Sequence, residues 1–552
     1  MKLRVDHKAV TYCIYIKTET SQWWFGVFVG WNKGEEAFLL MEEIWKQHLN
    51  RAKNQLDVEL HTTTKSKLLS PRLYSNQDSK IVEMKRETID KDGVSRRDSL
   101  LAQDNNLLDG CSNSSKRLLN EQKTHDYKQL FRLPSSEQLI EGYPIQCGYY
   151  RRDYTCEGKL YLSNNFICFH SLEEPSNDLV IFVIPFHIVL NVEKRNTLFG
   201  IVGNRFAIIV KSSPSNKEFL FSLSNRDKRF DDIWQSWTNC KKKNITQLIV
   251  DNSTLLNISY ERLSFLKHGD SKKIWGKMLK DPKLFSPRYL MEQVRFAKLW
   301  QRYLALNGSG VTMLRTNDFP ELCKRGIPDL FRGKVWMYGS GAMFKAASNP
   351  FYYKNLLNQS KDENTQAMDD IEKDLHRSFP EHPYFQNENG INSLRNVLVA
   401  YSFHNPIIGY CQSMNIVCAL LLLYLDEEDC FWLLCTICDD ILPNYYNRAM
   451  IGSSVDVHVL ELLLKKYQPE IYNHLTNINF PTSLVCQPWL LCLFIGHVPL
   501  QQNLRILDCI FCIGKQAIFQ ACLGMFHICS NEILNGNRLE EIFNLWKERY
   551  SS

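Results

Sequence analysis

Residues 371–380 read Ile371-Glu372-Lys373-Asp374-Leu375-His376-Arg377-Ser378-Phe379-Pro380. Ile371, Leu375 and Phe379 recur every four residues, which predicts a helix with one buried stripe. Asp374 and Arg377 are three apart and lie together beside that stripe, where opposite charges meet. Pro380 breaks a helix and disfavours helical backbone in the residue before it, so the helix should stop there. This places Arg377 in the last turn, aimed at whatever docks on the helix end. Taken alone, an Asp–Arg pair at this spacing is a common and weak surface interaction.

Two other stretches flank this one. Upstream, Arg325-Gly326-Ile327-Pro328-Asp329-Leu330-Phe331-Arg332-Gly333-Lys334-Val335-Trp336 reads as a Gly-Ile-Pro turn opening a helix. Arg332 and Trp336, four apart, share one face of it. Downstream, Gly409-Tyr410-Cys411-Gln412-Ser413-Met414-Asn415 follows the Asn405-Pro406 turn and leads into an apolar helix expected from Ile416. Gln412 falls near the first turn of that helix. Its amide donates and accepts at once, which suits holding a water, although such a residue can equally complete a turn's own hydrogen bonds.

In this order the three stretches closely resemble the TBC domain of Rab GTPase-activating proteins. Arg332 and Trp336 match its first motif, Ile371, Asp374 and Arg377 its I-x-x-D-x-x-R motif, and Tyr410 and Gln412 its Y-x-Q motif. Later stretches agree: Phe431-Trp432, Leu442-Pro443-Asn444-Tyr445-Tyr446, Trp489 to Phe494, and Asp508-Cys509-Ile510-Phe511 with Gly514. The resemblance implies a catalyst acting in trans on a Rab-family GTPase in its GTP form. Arg377 would be an arginine finger and Gln412 a glutamine finger that orients the attacking water. Asp374 would position Arg377, with Arg332, Trp336, Ile371 and Tyr410 positioning the site or touching the Rab. GTP and Mg²⁺ would come with the Rab, since this chain has no G-x-x-x-x-G-K-[ST] loop and needs no cofactor of its own. The rival expectation, from another class, is a non-catalytic scaffold for Rabs or membranes. Such a scaffold could lose either finger freely.

The rest of the chain changes texture. Its 552 residues are enough for several domains, and at 44% apolar and 12% aromatic most of it should fold. From His61 to Asp126 the single aromatic is Tyr74, amid frequent Ser, Asn, Asp and Lys, so this stretch is expected to be a disordered linker. Residues 10–46 and 206–237 repeat one pattern: a strand, a polar turn, a strand, then a helix ending at Ile44-Trp45 or Ile233-Trp234. The second copy has more strands upstream. With Phe131-Arg132-Leu133-Pro134, Glu137, Gly158-Lys159-Leu160-Tyr161, Asn165 to Phe169, Ile184-Pro185 and Val192-Glu193-Lys194, it resembles a GRAM domain, a small pleckstrin-homology-like β structure. That resemblance implies docking to membrane lipid or to protein.

The expected architecture is multidomain α+β: an all-α TBC domain preceded by a GRAM domain and a partial second copy of it. Its boundaries are a partial GRAM-like segment at 1–49, a polar linker at 50–126, GRAM at 127–240 and a linker at 241–283. A helical lead-in at 284–317 and the TBC domain at 318–546 complete it. The whole resembles the TBC-family subgroup with two GRAM domains, the member 8 and member 9 type, truncated at both ends. The expected setting is cytoplasmic, peripheral on endomembranes, in vesicle traffic. A net charge of +6, without a long basic stripe, argues against a nucleic-acid partner. Eighteen cysteines follow an N-terminus with no apolar leader, so the thiols should be reduced, with Cys435, Cys438, Cys509 and Cys512 as small core residues.

Overall fold

The computed structural model describes residues 12–17, 22–27, 113–151, 154–172, 179–195, 205–210, 217–223, 225–248, 287–447, 449–536, 538 and 540–542. Strands β1 (Tyr12–Lys17) and β2 (Gln22–Val27) pair antiparallel, with Tyr12 opposite Val27. The helix expected to end at Ile44-Trp45, most of the 50–126 linker and residues 249–286 lie outside the described residues.

Helix α1 (Asn113–Phe131) begins inside the stretch expected to be linker. Its sequence holds no Gly or Pro, and Tyr127 and Phe131, one turn apart, are fully buried at its end. The β domain that follows contains β3 (Ile145–Arg151), β4 (Tyr154–Leu162), β5 (Phe166–Ser171), β6 (Ile181–Pro185), β7 (Val189–Arg195), β8 (Arg205–Val210) and β9 (Lys217–Leu223). All are antiparallel in one sheet of order β6-β5-β4-β3-β9-β8-β7. β6 and β7 occupy opposite edges yet are joined by one 3-10 turn, Phe186–Ile188. A flat sheet of this size would separate its edges by about 29 Å, whereas that link reaches about 14 Å. The sheet must therefore curl, and it closes over Tyr149, Phe169, Phe182, Phe219 and Phe221. Helix α2 (Arg226–Leu248) covers the open side, and its Trp237 Nε1 donates to the Val189 carbonyl at 3.2 Å. It runs eight residues past the boundary expected at 240. Lys241-Lys242-Lys243 are good helix formers, and nothing breaks the helix before Leu248.

The second half is helical. α3 (Pro287–Asn307) leads in, followed by α4 (Asp318–Arg325), α5 (Asp329–Ser340), α6 (Ala342–Ser348), α7 (Tyr352–Gln359), α8 (Gln366–Leu375) and α9 (Glu388–His404). Then come α10 (Met414–Tyr424), α11 (Glu427–Thr436), a π turn (Ile437–Ile441), α12 (Ile451–Tyr467), α13 (Pro469–Asn477), α14 (Ser483–Leu491), α15 (Leu500–Cys512), α16 (Gln516–Ile528) and α17 (Ser530–Asn535). α10 is the axis of this body, buried from Met414 to Leu425 apart from partly exposed Ile416. Cys435, Cys438, Cys509 and Cys512 are buried. No described helix is long and apolar enough to cross a membrane.

The β domain and the helical body belong to one compact unit. Ile181 of β6 exchanges two backbone hydrogen bonds with Arg315, of 2.9 and 2.8 Å. Lys217 Nζ donates to the Thr312 carbonyl at 3.0 Å, and Arg151 reaches Asn307 Oδ1 at 2.7 Å. Arg132 makes the densest contact. Just past α1, its guanidinium donates to the carbonyls of Gly339, Phe511, Cys512 and Ile513. The first three are among the last carbonyls of α5 and α15, which have no partner within their own helices, and Ile513 directly follows α15. Gly341 adopts φ 89°, and a Cβ there would meet the Arg132 carbonyl oxygen at 2.3 Å, so glycine is required. Burial, then neighbouring Arg315, lowers the Arg132 pKa to about 10, which leaves it charged at neutral pH.

Candidate functional site

α8 starts at a cap: the Thr365 hydroxyl accepts from the Met368 N–H at 3.4 Å. Ile371 and Leu375 are fully buried, as their spacing predicts. The helix ends at Leu375, not at Pro380, so Arg377 stands in the following turn rather than in the last helical turn. The cause is Ser378. Its hydroxyl donates to the Asp374 carbonyl at 2.7 Å, taking the acceptor that the next helical N–H would have used. The Ser378 N–H turns to the Leu375 carbonyl instead, and Phe379 enters the left-handed region at φ 53°. Phe379 is thus only half-buried and does not extend the stripe.

The Asp374 side chain is 7% exposed and uses both oxygens. Oδ1 holds Arg377 Nη2 at 2.5 Å, and Oδ2 accepts from the Tyr410 hydroxyl at 2.6 Å. Burial and then the Asp374 carboxylate push the Tyr410 hydroxyl well above its ordinary pKa, so it stays a donor. Arg377 itself is 54% exposed. It is a cation tethered at one nitrogen, with the rest of its guanidinium open to solvent.

Gln412 is also exposed, in the turn just before α10, which starts at Met414 rather than at Ile416. Ser413 takes φ 92°, a costly conformation for a residue with a side chain. Its N–H donates to Asn415 Oδ1 at 3.2 Å, and Asn415 Nδ2 donates to Ser378 Oγ at 2.7 Å. The turns carrying Arg377 and Gln412 are therefore joined twice, through Tyr410–Asp374 and through Asn415–Ser378. Asn415 and Ser378 lie inside the stretches quoted from the sequence, but neither spacing nor composition marks them, because their partners are distant in the chain.

Arg332 and Trp336 do not join this site. Arg332 is 1% exposed and Trp336 fully buried, so neither can face a partner. Arg332 pairs with Asp329, donates from Nε to Asp508 Oδ1 at 3.1 Å and from Nη2 to the Ile327 carbonyl at 2.6 Å. Trp336 Nε1 also reaches Asp508 Oδ1, at 2.8 Å. Burial raises the Asp508 pKa while Arg332 opposes that shift. Of the residues expected to position the site or touch the Rab, these two and Ile371 are buried, and all three hold the core. Arg332 and Trp336 do so by tying α5 to α15, whose Asp508 sequence reading matched without assigning it this role.

The Rab-GTPase-TBC domain family matches residues 329–534, and the GRAM domain family residues 125–241. GTPase-activating protein gyp2 of Schizosaccharomyces pombe is 29% identical over 444 residues, 77% of this chain and 58% of that protein. GTPase-activating protein MSB4 of Saccharomyces cerevisiae is 31% identical over 328 residues, 52% of this chain and 66% of that protein. A relative from Emericella nidulans is 40% identical over 238 residues, 43% of this chain and 21% of its own length. The chain thus spans only part of each relative. The crystal structure of the Chlamydomonas flagellar RabGAP TBC domain is 29% identical and covers 49% of this chain and 93% of its own, with a TM-score of 0.44. Residues 329–534 are thus a Rab-GTPase-TBC domain and residues 125–241 a GRAM domain lying ahead of it in the chain.

Proposed function

We propose that this chain is a GTPase-activating protein for a Rab-family GTPase in its GTP form, acting in trans through Arg377 and Gln412. The observation that carries this is the state of Arg377. It is fixed at one nitrogen by buried Asp374 and open elsewhere, beside a second exposed turn that presents an amide. A cation held this way can enter a partner's nucleotide site without first losing all its side-chain freedom. There it would neutralise charge growing on the β- and γ-phosphate oxygens. Gln412 would accept and donate to the attacking water and set its line of approach. The nucleotide and Mg²⁺ belong to the partner as its substrate complex. The GRAM domain would supply docking to membrane lipid or protein, placing the chain peripherally on endomembranes.

The test is single-turnover GTP hydrolysis by a panel of Rab-family GTPases, each with and without the protein. At least one member should accelerate, and Gln412→Ala should slow that member by about 10²-fold through lost water alignment. No acceleration anywhere in the panel would sink the reading. An unchanged rate for Gln412→Ala would leave that residue as a turn former.

A further inference from the structure

We propose that Asn415 is a positioning residue for both fingers, setting the turn that carries Gln412 against the turn that carries Arg377. This deepens the trans-acting reading above and rests on it.

Asn415 lies in the first turn of α10 and is buried, on a helix otherwise made of apolar residues. A primary amide in such a place is costly unless both its ends are satisfied. Hydrogen-bond logic fixes which end faces where. The Ser378 hydroxyl has one proton and gives it to the Asp374 carbonyl, so Ser378 Oγ can only accept from Asn415. The Ser413 N–H can only donate, so it must meet Asn415 Oδ1. Among side chains of this size only asparagine presents a donor and an acceptor in these two directions.

The residues tied to Asn415 are each the immediate successor of a finger. Ser378 follows Arg377 and Ser413 follows Gln412. Both turns contain a left-handed non-glycine residue, Phe379 at φ 53° and Ser413 at φ 92°, so both need outside support to persist. With the Tyr410–Asp374 bond the frame closes on itself: Asp374, Ser378, Asn415, Ser413 and back through Tyr410. A charge-neutralising group and a water-orienting group must act on one reacting centre at once. Their mutual placement therefore matters as much as their presence, and an error of about 1 Å can cost about 10²-fold in rate.

Two variants of the full chain test this, on whichever panel GTPase the wild-type protein accelerates most. Asn415→Asp keeps the shape but replaces the donor with an acceptor, and Ser378→Ala removes the bridge. Both should lower kcat for stimulated hydrolysis by about 10²-fold while the GTPase concentration for half-maximal stimulation stays unchanged. Binding to the GTPase loaded with GDP and aluminium fluoride, which imitates the transferring phosphoryl group, should weaken. Binding to the same GTPase loaded with a non-hydrolysable GTP analogue should not. In an Arg377→Ala background Asn415→Asp should cost little more. If Asn415→Asp does not fold, Ser378→Ala decides alone. Wild-type kcat in a folded variant, or equal loss of binding to both loaded forms in step with lost thermal stability, overturns the proposal and leaves the fingers standing. A wild-type protein that accelerates no GTPase overturns the functional reading beneath it.

Discussion

Asp329-Leu330-Phe331-Arg332 and Asp374-Leu375-His376-Arg377 are the same pattern, an aspartate with an arginine three residues on and a leucine after the acid. Both pairs form ion pairs. Their fates are opposite. The first lies inside α5, and a second acid, Asp508 of α15, receives Arg332 and Trp336. The second straddles the end of α8, where Ser378 breaks the helix and leaves the arginine in a turn. One arginine has been consumed by the protein and the other is kept available. A charged pair at helical spacing is thus not a site or a strut by itself. What decides is whether the helix continues past the arginine and whether a third group from elsewhere claims its remaining nitrogens.

This contrast can be broken by substitution. Arg377→Ala should abolish stimulated hydrolysis, by about 10³–10⁵-fold, the worth of an arginine finger. Its melting temperature should fall far less than that of Arg332→Ala, since Arg377 is half exposed and Asp374 keeps the Tyr410 hydroxyl as a donor. Single-turnover hydrolysis with a thermal melt reads both, and a stability loss to match the activity loss would erase the distinction. Arg332→Ala should do the reverse. It strands Asp329 and Asp508 as buried charges, which costs about 3–5 kcal/mol in urea unfolding, and activity should fail only as the fold fails. A well-folded Arg332→Ala protein lacking activity would mean that this arginine also acts at the site.

A third, smaller effect extends the sealed side of the comparison to the domain boundary. His187, in the 3-10 turn between β6 and β7, is buried beside the backbone of Ala347 in α6, and burial lowers its pKa to about 4. Unfolded, it titrates near 6.5. Between those values the unfolded chain binds more protons, so stability should rise with pH from about 4 to 6.5, by at most about 3 kcal/mol. Melting curves across that range should be flatter for His187→Leu than for wild type. Parallel curves would show that the imidazole stays wet when folded.

Much of this was legible in the sequence where the signal was local. The Ile371 and Leu375 spacing gives α8 its buried face, the apolar run after Asn415 gives the buried helix α10, and alternating β-rich runs give strands of the GRAM sheet. What stayed hidden depends on partners far along the chain. The end of α8 turns on one serine hydroxyl, a competition that periodicity does not register. Arg332 was open to a surface reading until Asp508, 176 residues on, closed over it. Asn415 falls just before the apolar run expected from Ile416, and nothing local points to Ser378, 37 residues earlier.

The Arg132 contact sets a schedule for synthesis. Its carbonyl acceptor at Phe511 lies 379 residues downstream. At about 5–20 residues per second, that separation is about 20–75 s of translation. Once β9 is made the GRAM sheet can close, although the Phe511, Cys512 and Ile513 acceptors of its arginine do not yet exist and the edge of β6 has no Arg315 until that residue follows. The nascent chain therefore emerges with a finished half that displays a surface made for helices not yet made, and the last steps of folding act on both domains together.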